Sequence, residues 1–169
     1  MIRLASLNDL SQINQMILKI KIELKNMNNP QWGITINEYP SNDDFYNDIK
    51  KENLYVYEED NIIKGVIYVA EDFENEYVKY ICSSNLKSYV IHRLGVSLDY
   101  RRQQIGKKLL EYVEKVALQN RAKILKIDIE HNNIKMKNLL EKLNSAYIGS
   151  FQAEYPGAHD YYEKKLEKK

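Results

Sequence analysis

Apolar residues recur along the chain with two periods, one typical of helices and one typical of strands. From residue 10 to residue 24 they follow the spacing of a single helix face, and the pattern ends at the Asn-Pro region of residues 28–30. The same spacing returns over residues 105–116 and 134–143, and a weaker version covers residues 43–51. The sequence therefore predicts four helices, the second of which follows an irregular stretch.

Segments rich in β-branched and aromatic residues lie between these helices. LYVYEED and IIKGVIYVAED flank a polar turn at residues 59–61, a pattern that predicts an antiparallel hairpin. SYVIHRLGV and KILKIDI predict strands at residues 88–96 and 123–129, and shorter strands are expected at residues 2–5 and 146–151. The C-terminal EKKLEKK has few apolar residues, and we expect it to lie in solvent.

The order of these elements predicts the fold class. The strand, helix and strand between residues 88 and 129 require a parallel crossover, whereas the hairpin is antiparallel. We therefore predict an α/β protein with a mixed, mostly antiparallel central sheet flanked by helices. A single domain over residues 1–169 is expected, because this length supports one core and the sequence contains no linker or internal repeat.

Composition and charge exclude several classes of function. The formal net charge of +1 gives no general attraction to nucleic acids or acidic membranes. The single cysteine, Cys82, allows no intrachain disulfide and is not expected to be a nucleophile, and the three histidines are too scattered to predict a metal site. Because the N-terminus lacks a signal-peptide pattern and no segment reaches the length of a membrane span, we expect a cytoplasmic protein with no membrane partner.

The segment YRRQQIGKKLLEYVEKV, residues 100–116, joins a strand to a helix through a basic turn. The first N–H groups of a helix lack intrahelical partners and the helix dipole is positive there, so the turn predicts an anion site. The cations that reinforce it are Arg101, Arg102, Lys107 and Lys108. The alternative is a charged helix start that is only solvated. A P-loop is excluded, because Gly106 and Lys107 are followed by Lys108 instead of serine or threonine.

The residues around this turn resemble a known family. HRLGVSLDYRRQQIGKKLLEYVEKVA resembles the acetyl-CoA-binding core of the GCN5-related N-acetyltransferases (GNAT), in which a hydrophobic strand precedes an Arg/Gln-x-x-Gly-x-Gly/Ala motif that opens a helix. Arg101, Gln104 and Gly106 stand at the first, fourth and sixth positions of that motif. Downstream, KIDIEHNNIKMKNLLEKLNS resembles the family's next strand, asparagine and helix. The resemblance implies a GNAT-like acyl-CoA N-acyltransferase fold with acetyl-CoA as the acetyl donor.

Position by position, the resemblance also implies which residues hold acetyl-CoA. The backbone of Leu94, Gly95 and Val96 is expected to bond to the pantetheine arm and the acetyl group. The pyrophosphate is expected on Arg101, Arg102, Gln103, Gln104, Ile105, Gly106 and Lys107. Asn133 matches the asparagine that contacts the cofactor, with Asn132 as the alternative register and helix capping as the alternative role.

Two positions depart from the family pattern. Gln104 replaces the first glycine of the motif, where a side chain crowds the phosphate or, if φ is positive, costs about 1–2 kcal/mol. Leu140 occupies the position of a tyrosine that protonates the departing CoA thiolate in many members of the family. Because thiols have a pKa of about 8.5, the thiolate is a tolerable leaving group near neutral pH without that acid.

The resemblance implies direct acetyl transfer to an amine within a ternary complex. His92 is the candidate base, because an unbulged strand puts it on the same face as Leu94 and Val96. Glu71 and Asp72 are alternatives.

Aromatic residues are the candidates for contact with the acceptor. Trp32 and Tyr39 are expected to bind an alkylamine by stacking and cation–π contact, and Tyr155, Tyr161 and Tyr162 share this expectation. The alternative for each of them is packing in the core or at an interface.

Two functions follow from these observations. The first is an acetyl-CoA-dependent N-acetyltransferase that acts on a primary amine of a small molecule or peptide. The alternative is a noncatalytic acyl-CoA-binding or regulatory domain, motivated by Gln104 and Leu140. Nucleic-acid binding through the basic turn is not expected at this net charge, and assembly into homodimers stays open.

Overall fold

Most of the helices and strands form where the hydrophobic pattern predicts them. The computed structural model describes residues 1–29, 31–73, 77–81, 84–152 and 157–167. The elements in these residues are β1 (Ile2–Leu4), α1 (Leu10–Asn26), α2 (Asn42–Lys50), β2 (Leu54–Glu59), β3 (Ile62–Glu71), β4 (Ser88–Val96), α3 (Ile105–Gln119), β5 (Ile124–Glu130), α4 (Ile134–Lys142), β6 (Ala146–Gln152) and β7 (Ala158–Lys165). The four predicted helices and the strands as far as β6 are confirmed.

The strands in the described residues form a seven-stranded sheet with the order β1-β2-β3-β4-β5-β7-β6. β2 pairs antiparallel with β1 and with β3, and Val56 lies opposite Val66 in the predicted hairpin. β4 and β5 are parallel, with Ile91 beside Ile127. β7 is antiparallel to both β5 and β6. The prediction of a mixed, mostly antiparallel α/β sheet flanked by helices is therefore confirmed.

The C-terminal segment is the part of the fold that the sequence pattern predicts wrongly. Residues 158–165 form β7 between β5 and β6, and Leu166 is buried. The charged side chains of this strand have partners, since Lys164 donates to Glu114 at 2.5 Å and Glu163 accepts from Tyr161 at 2.5 Å. A search for apolar residues misses such a strand because ion pairs and backbone pairing hold it. Lys168 and Lys169 lie outside the described residues.

Contacts group the chain into two compact units. The first contains Met1–Val69 and Arg93–Tyr112, and the second contains the described residues of Ala70–His92 and Val113–Lys169. The expectation of a single domain over residues 1–169 stays a prediction. Among the described helices, none combines the length and the hydropathy that a membrane crossing requires.

The first unit is built on the apolar face of α1. Ile13 and Ile17 of α1 are buried with Phe45 of α2 and with Leu54 and Val56 of β2 in one hydrophobic cluster. The helical spacing of apolar residues therefore marks the buried face of α1, as predicted.

An ionic network closes the N-terminal end of the first unit. Arg3 bonds through both Nη atoms to Asp9, at 2.7 and 2.9 Å, and through Nε to Glu58 at 2.6 Å. Asp9 also accepts from the backbone N–H of Ser6 at 2.7 Å. The hydrogen bonds from Arg3 outweigh the burial of Asp9 and lower the pKa of that carboxyl from 3.8 to about 2.

The second unit contains a buried ion pair next to its apolar core. Lys126 of β5 is fully buried and its Nζ lies 2.9 Å from Oδ2 of Asp72, whose side chain is 3% exposed. Their neighbours Leu125 and Ile127 are buried as well. A pair so deeply buried stabilises the fold only while both charges are present, because either one alone is costly in a medium of low dielectric constant.

Candidate functional site

β4 carries His92, the candidate base from the strand pattern, and the backbone that the resemblance assigns to donor binding. Arg93, in the middle of this strand, has a φ of 52°, a left-handed conformation that is uncommon for a residue with a side chain. Such a residue interrupts the alternation of side chains along a strand. The register that an unbulged strand predicts, with His92, Leu94 and Val96 on one face, therefore does not hold.

Arg93 is a largely buried cation that the sequence analysis did not single out. In the first unit its guanidinium lies 3.2 Å from Asp48 and 3.7 Å from Asp44, both on α2. It also lies over the rings of Tyr39 and Tyr68, at 5.2 and 5.0 Å from their centroids. Tyr39, predicted to contact the acceptor, is thus placed against a cation and keeps 37% of its surface exposed. The sequence signal for Arg93 is a charged residue inside an otherwise apolar strand.

The irregular segment between α1 and α2 is organised by a buried lysine. Nζ of Lys21 donates to the carbonyl oxygens of Thr35, Glu38 and Pro40, at 2.7, 2.7 and 2.8 Å. Burial lowers the pKa of Lys21, although nearby carboxylates oppose that effect. These three bonds fix the backbone on both sides of Tyr39 and so determine where its ring lies.

Gly95 lies against α1 with little room for a side chain. A Cβ there would be 3.1 Å from Ile17 Cδ1, 3.3 Å from Ile20 Cδ1 and 3.6 Å from Trp32 Cη2. Trp32 is 8% exposed and belongs to the hydrophobic cluster of the first unit. Its assignment to the acceptor stays a prediction, and its position is one of support behind β4.

The turn between β4 and α3 has a backbone suited to bind an anion. Arg102 and Gln104 have φ values of 64° and 60°, and α3 begins at Ile105. The N–H of Lys108 donates to the carbonyl of Gln104 at 2.9 Å, which makes Gln104 the residue that opens the helix. Left-handed residues next to helical ones turn successive N–H groups towards one concave side. Gln104 therefore adopts a left-handed backbone conformation that glycine would adopt without strain.

One of the four basic residues of this turn is held by a bidentate ion pair. Arg101 forms two bonds with Glu23 of α1, Nη1 to Oε1 at 2.6 Å and Nη2 to Oε2 at 2.5 Å. A bidentate guanidinium–carboxylate pair is a strong anchor. Arg101 thus attaches the turn to α1, and the exposed cations are Arg102, Lys107 and Lys108. Lys107 lies 3.7 Å from Glu111 on the next turn of α3, and so exposed a pair contributes little energy.

Asn133 stands at the start of α4, in the second unit. Its Oδ1 accepts from the N–H of Met136 at 3.1 Å, so it caps the helix. Asn132, the alternative register, donates through Nδ2 to Glu130 at 3.1 Å. The capping role proposed as an alternative for Asn133 is thereby confirmed, and its contact with acetyl-CoA stays a prediction.

Leu140 and the alternative bases are placed in the second unit. Leu140 is 2% exposed, so an apolar side chain fills the position of the family tyrosine. Glu71 lies 3.1 Å from Lys87, and Asp72 lies 2.9 Å from Lys126. Both carboxylates are therefore paired with lysines, and their role as alternative bases stays a prediction.

Three neighbouring strands of the second unit place two histidines around one carboxylate. Oδ2 of Asp128 lies 2.5 Å from Nδ1 of His159, and Oδ1 accepts from the hydroxyl of Tyr77 at 2.5 Å. Nδ1 of His92 lies 4.0 Å from Oδ1. Burial alone would raise the pKa of Asp128, but His159, His92 and Tyr77 outweigh it and lower that pKa. The sequence analysis did not identify His159, because its partner Asp128 lies 31 residues away in the chain.

The remaining candidate residues either are buried in the core or lie outside the described residues. Tyr161 and Tyr162 are 0% and 2% exposed, so packing accounts for both. Cys82 and Tyr155 lie outside the described residues.

Comparison with known proteins assigns the family. The model of the acetyltransferase (GNAT) family matches residues 22–144, which include the basic turn and the segment around Asn133. The chain belongs to the GNAT acetyltransferase family. No protein among those with curated function matches the sequence.

Solved GNAT structures show the same fold at low sequence identity. A GNAT-family acetyltransferase from Streptococcus agalactiae is 24% identical, with a TM-score of 0.85, over 99% of this chain and 96% of that one. A ribosomal-protein-alanine N-acetyltransferase from Brucella melitensis is 17% identical, with a TM-score of 0.73, over 98% and 99%. A Salmonella typhimurium protein solved with its cofactor acetyl-CoA is 13% identical, with a TM-score of 0.74, over 100% and 95%. At these identities the likeness shows the GNAT fold alone.

Proposed function

We propose that this protein is an acetyl-CoA-dependent N-acetyltransferase that transfers the acetyl group directly to a primary amine of a small molecule or a peptide. The observation that carries the proposal is the backbone of the basic turn, where Gln104, at a motif position that the family fills with glycine, has a left-handed φ of 60°. Family membership and the acetyl-CoA-bound relative add support.

The donor is proposed to lie along β4 and the start of α3. The backbone of Leu94, Gly95 and Val96 would hold the pantetheine arm and the acetyl group. The pyrophosphate would accept from the N–H groups of residues 103–107, with Arg102 and Lys107 as the accessible cations. In this arrangement Arg101 acts indirectly, because its pair with Glu23 holds the turn in place. Asn133 would contact the donor from the start of α4.

Acetyl-CoA supplies an activated thioester, and the residues of this chain supply alignment and proton transfer. His92 is the proposed base, with 23% of its side chain exposed. It removes a proton from the acceptor ammonium, and the neutral amine then attacks the thioester carbon. Leu140 offers no proton, so the thiolate leaves unassisted by that position, which its pKa of about 8.5 in free thiols permits. Tyr39 and Trp32 are proposed to border the acceptor.

A noncatalytic acyl-CoA-binding domain is the second candidate, and Leu140 is the observation that favours it. An apolar residue at the position of the family's acid is what a domain that binds without turnover would tolerate. The strain at Gln104 does not distinguish the two candidates, since both need the same turn. A cytoplasmic location and a homodimeric assembly remain further predictions.

Acetyl-CoA binding and thiol release test the proposal together. Purified protein is titrated with acetyl-CoA by calorimetry and then assayed for free CoA with polyamines, amino acids, arylalkylamines and peptides. Binding with acceptor-dependent thiol release supports the transferase, whereas binding without turnover on any class supports the second candidate. An absence of acetyl-CoA binding contradicts both.

A matched pair of charge reversals locates the donor. Lys107→Glu, in the first turn of α3, is expected to weaken acetyl-CoA binding by about tenfold, because a carboxylate then faces the pyrophosphate. Lys115→Glu makes the same charge change about 12 Å further along α3 and should leave the affinity within about twofold. Equal effects of the two substitutions would show that the start of α3 is not the donor site.

A further inference from the structure

The cluster formed by His92, Asp128, His159 and Tyr77 has no role in the proposed function beyond that of His92. β4 runs parallel to β5 with Ile91 beside Ile127, so His92 and Asp128 follow side by side. β7 runs antiparallel to β5 with His159 opposite Glu130. Glu130 lies two residues after Asp128 on β5, so the two residues share one face of the strand. The three strands thus bring two imidazoles to one carboxylate.

Asp128 is the fixed member of the cluster. Both of its oxygens accept short hydrogen bonds, Oδ2 from His159 and Oδ1 from Tyr77, each at 2.5 Å. Its side chain is 18% exposed and that of His159 is 11% exposed. A carboxylate held from both sides cannot rotate freely, so its direction towards His92 is set before any substrate arrives.

The surroundings of His159 hold its ring beside Asp128. Nδ1 of His159 faces Asp128, and Nε2 is buried without a hydrogen-bond partner in the described residues. His159 therefore contacts the carboxylate through Nδ1 and holds Oδ2 from one side.

His92 is the accessible imidazole on the other side of this carboxylate. Its Nδ1 lies 4.0 Å from Oδ1 of Asp128, a distance at which the interaction is electrostatic. In the described residues, this face of β5 and β7 also carries Glu130, Glu163 and Lys126, and Lys126 forms an ion pair with Asp72 at 2.9 Å in which the two charges largely cancel. The net field at His92 from these neighbours is therefore negative.

We propose that Asp128, fixed by His159 and Tyr77, is the positioning residue for His92: it orients Nδ1 towards itself and faces the imidazolium that forms during acetyl transfer. The inference rests on the proposed function, in which His92 is the base. One proton passes from the acceptor ammonium to Nε2 of His92. The new N–C bond forms as the C–S bond breaks, and the second proton of the amine goes to the departing thiolate. His92 then releases its proton to solvent.

A histidine titration tests the positioning role without turnover. The chain has three histidines, so the ring signal of His92 is assigned by its loss in His92→Gln. Asp128→Asn removes the charge and keeps the shape. Because a nearby carboxylate favours the imidazolium, the midpoint of His92 should fall by about one pH unit in this variant. An unchanged midpoint overturns the proposal, whether or not the protein has transferase activity.

The kinetic consequence distinguishes this inference from the proposed function. In Asp128→Asn the acidic limb of the pH profile of kcat/KM should move down by about one unit and the plateau should fall by about tenfold, while acetyl-CoA affinity stays within about twofold. Asp128→Asn added to His92→Gln should cause little further loss, because Asp128 acts only through His92. Losses that multiply would overturn the positioning role. If the wild type binds acetyl-CoA but acetylates no amine, the proposed function fails, and the titration still decides the contact.

Two further variants guard against a merely structural effect. Asp160→Asn alters another buried carboxylate of the second unit, which lies 2.8 Å from Nδ1 of His131, and it should leave the His92 midpoint unchanged. If Asp128→Asn does not fold, Tyr77→Phe removes one of the bonds that fix the carboxylate and should shift the midpoint of His92. A midpoint unmoved in Tyr77→Phe then counts against the proposal.

Discussion

Replacing Gln104 by glycine isolates the strain stored in the basic turn. Gln104 has a φ of 60°, and a left-handed conformation costs a residue with a side chain about 1–2 kcal/mol. Glycine removes that cost but gains more freedom in the unfolded chain, which is worth about 0.5–1 kcal/mol. The net expectation for Gln104→Gly is a small gain in the free energy of unfolding.

The neighbouring Gln103→Gly supplies the matched control. Gln103 is not one of the left-handed residues, so this substitution carries the entropy loss without any relief of strain. The unfolded-state term is the same for both, and the difference between the two free energies of unfolding should equal the strain, about 1–2 kcal/mol in favour of Gln104→Gly. Urea denaturation followed by circular dichroism measures both values.

Acetyl-CoA affinity separates strain from crowding at the same position. The turn already has its left-handed backbone before any ligand is bound, so Gln104→Gly should change the stability of the protein and leave the acetyl-CoA Kd within about twofold. Equal stabilities of Gln104→Gly and Gln103→Gly would refute the reasoning from strain. A tenfold tighter Kd would show instead that the glutamine side chain crowds the phosphate.

Three other substitutions test the fold around the site. Gly65→Ala places a Cβ 3.0 Å from side-chain atoms of the first turns of α3, so it should cost about 1–3 kcal/mol of stability and weaken acetyl-CoA binding. Lys126→Met leaves Asp72 buried without its cation and should cost about 3–5 kcal/mol in urea denaturation. Asp9 has a pKa lowered from 3.8 to about 2 by Arg3, so it contributes about 2 kcal/mol above pH 4 that is lost as the pH falls towards 2, and Asp9→Asn should remove this pH dependence.

Each of these has a control or a contradicting result. Lys164→Met breaks a more exposed pair with Glu114 and should cost less than about 1 kcal/mol. If Lys126→Met loses no more stability than Lys164→Met, the buried pair of Lys126 with Asp72 contributes no more than the exposed pair. Unchanged acetyl-CoA affinity in Gly65→Ala would separate the position of α3 from donor binding. A wild-type stability that does not vary between pH 4 and pH 2 would contradict the role of Asp9.

Local patterns predict the elements of this fold well because most of them bury one regular face. The spacing of apolar residues places α1 and α3, and the β-branched segments place β2 to β5. β7 is not detected in this way because its two buried aromatic residues, Tyr161 and Tyr162, stand next to charged residues, of which Lys164 is paired with the distant Glu114. A hydrophobic pattern does not detect a strand whose charged side chains are paired with residues elsewhere in the fold.

The basic turn was predictable in position but not in the use of its side chains. The resemblance placed Arg101, Gln104 and Gly106 on the family motif, and the backbone of Gln104 agrees with the glycine that it replaces. The pairing of Arg101 with Glu23 spans 78 residues, so no local pattern announces it. A motif therefore identifies the backbone conformation more reliably than it identifies which cation faces a ligand.

The cluster around Asp128 shows the same limit for catalytic groups. His92 was a candidate from the strand pattern, whereas Asp128 and His159 are separated by 31 residues and meet through the sheet. Arg93 affects the placement of His92, because its left-handed backbone breaks the alternation of side chains from which the face of His92 was predicted. Side-chain partnerships of this kind depend on register, which the sequence of one chain specifies only through the complete fold.

The proposed N-acetyltransferase activity is tested most directly by acceptor-dependent release of CoA from acetyl-CoA, with the acetylated amine identified by mass spectrometry. We expect that at least one class of primary amine releases CoA with matching acetylation, that Lys107→Glu loses this activity at low acetyl-CoA, and that Lys115→Glu retains it. Tight acetyl-CoA binding with no acetylated product from any amine, or release of CoA unaffected by Lys107→Glu, would contradict the central claim.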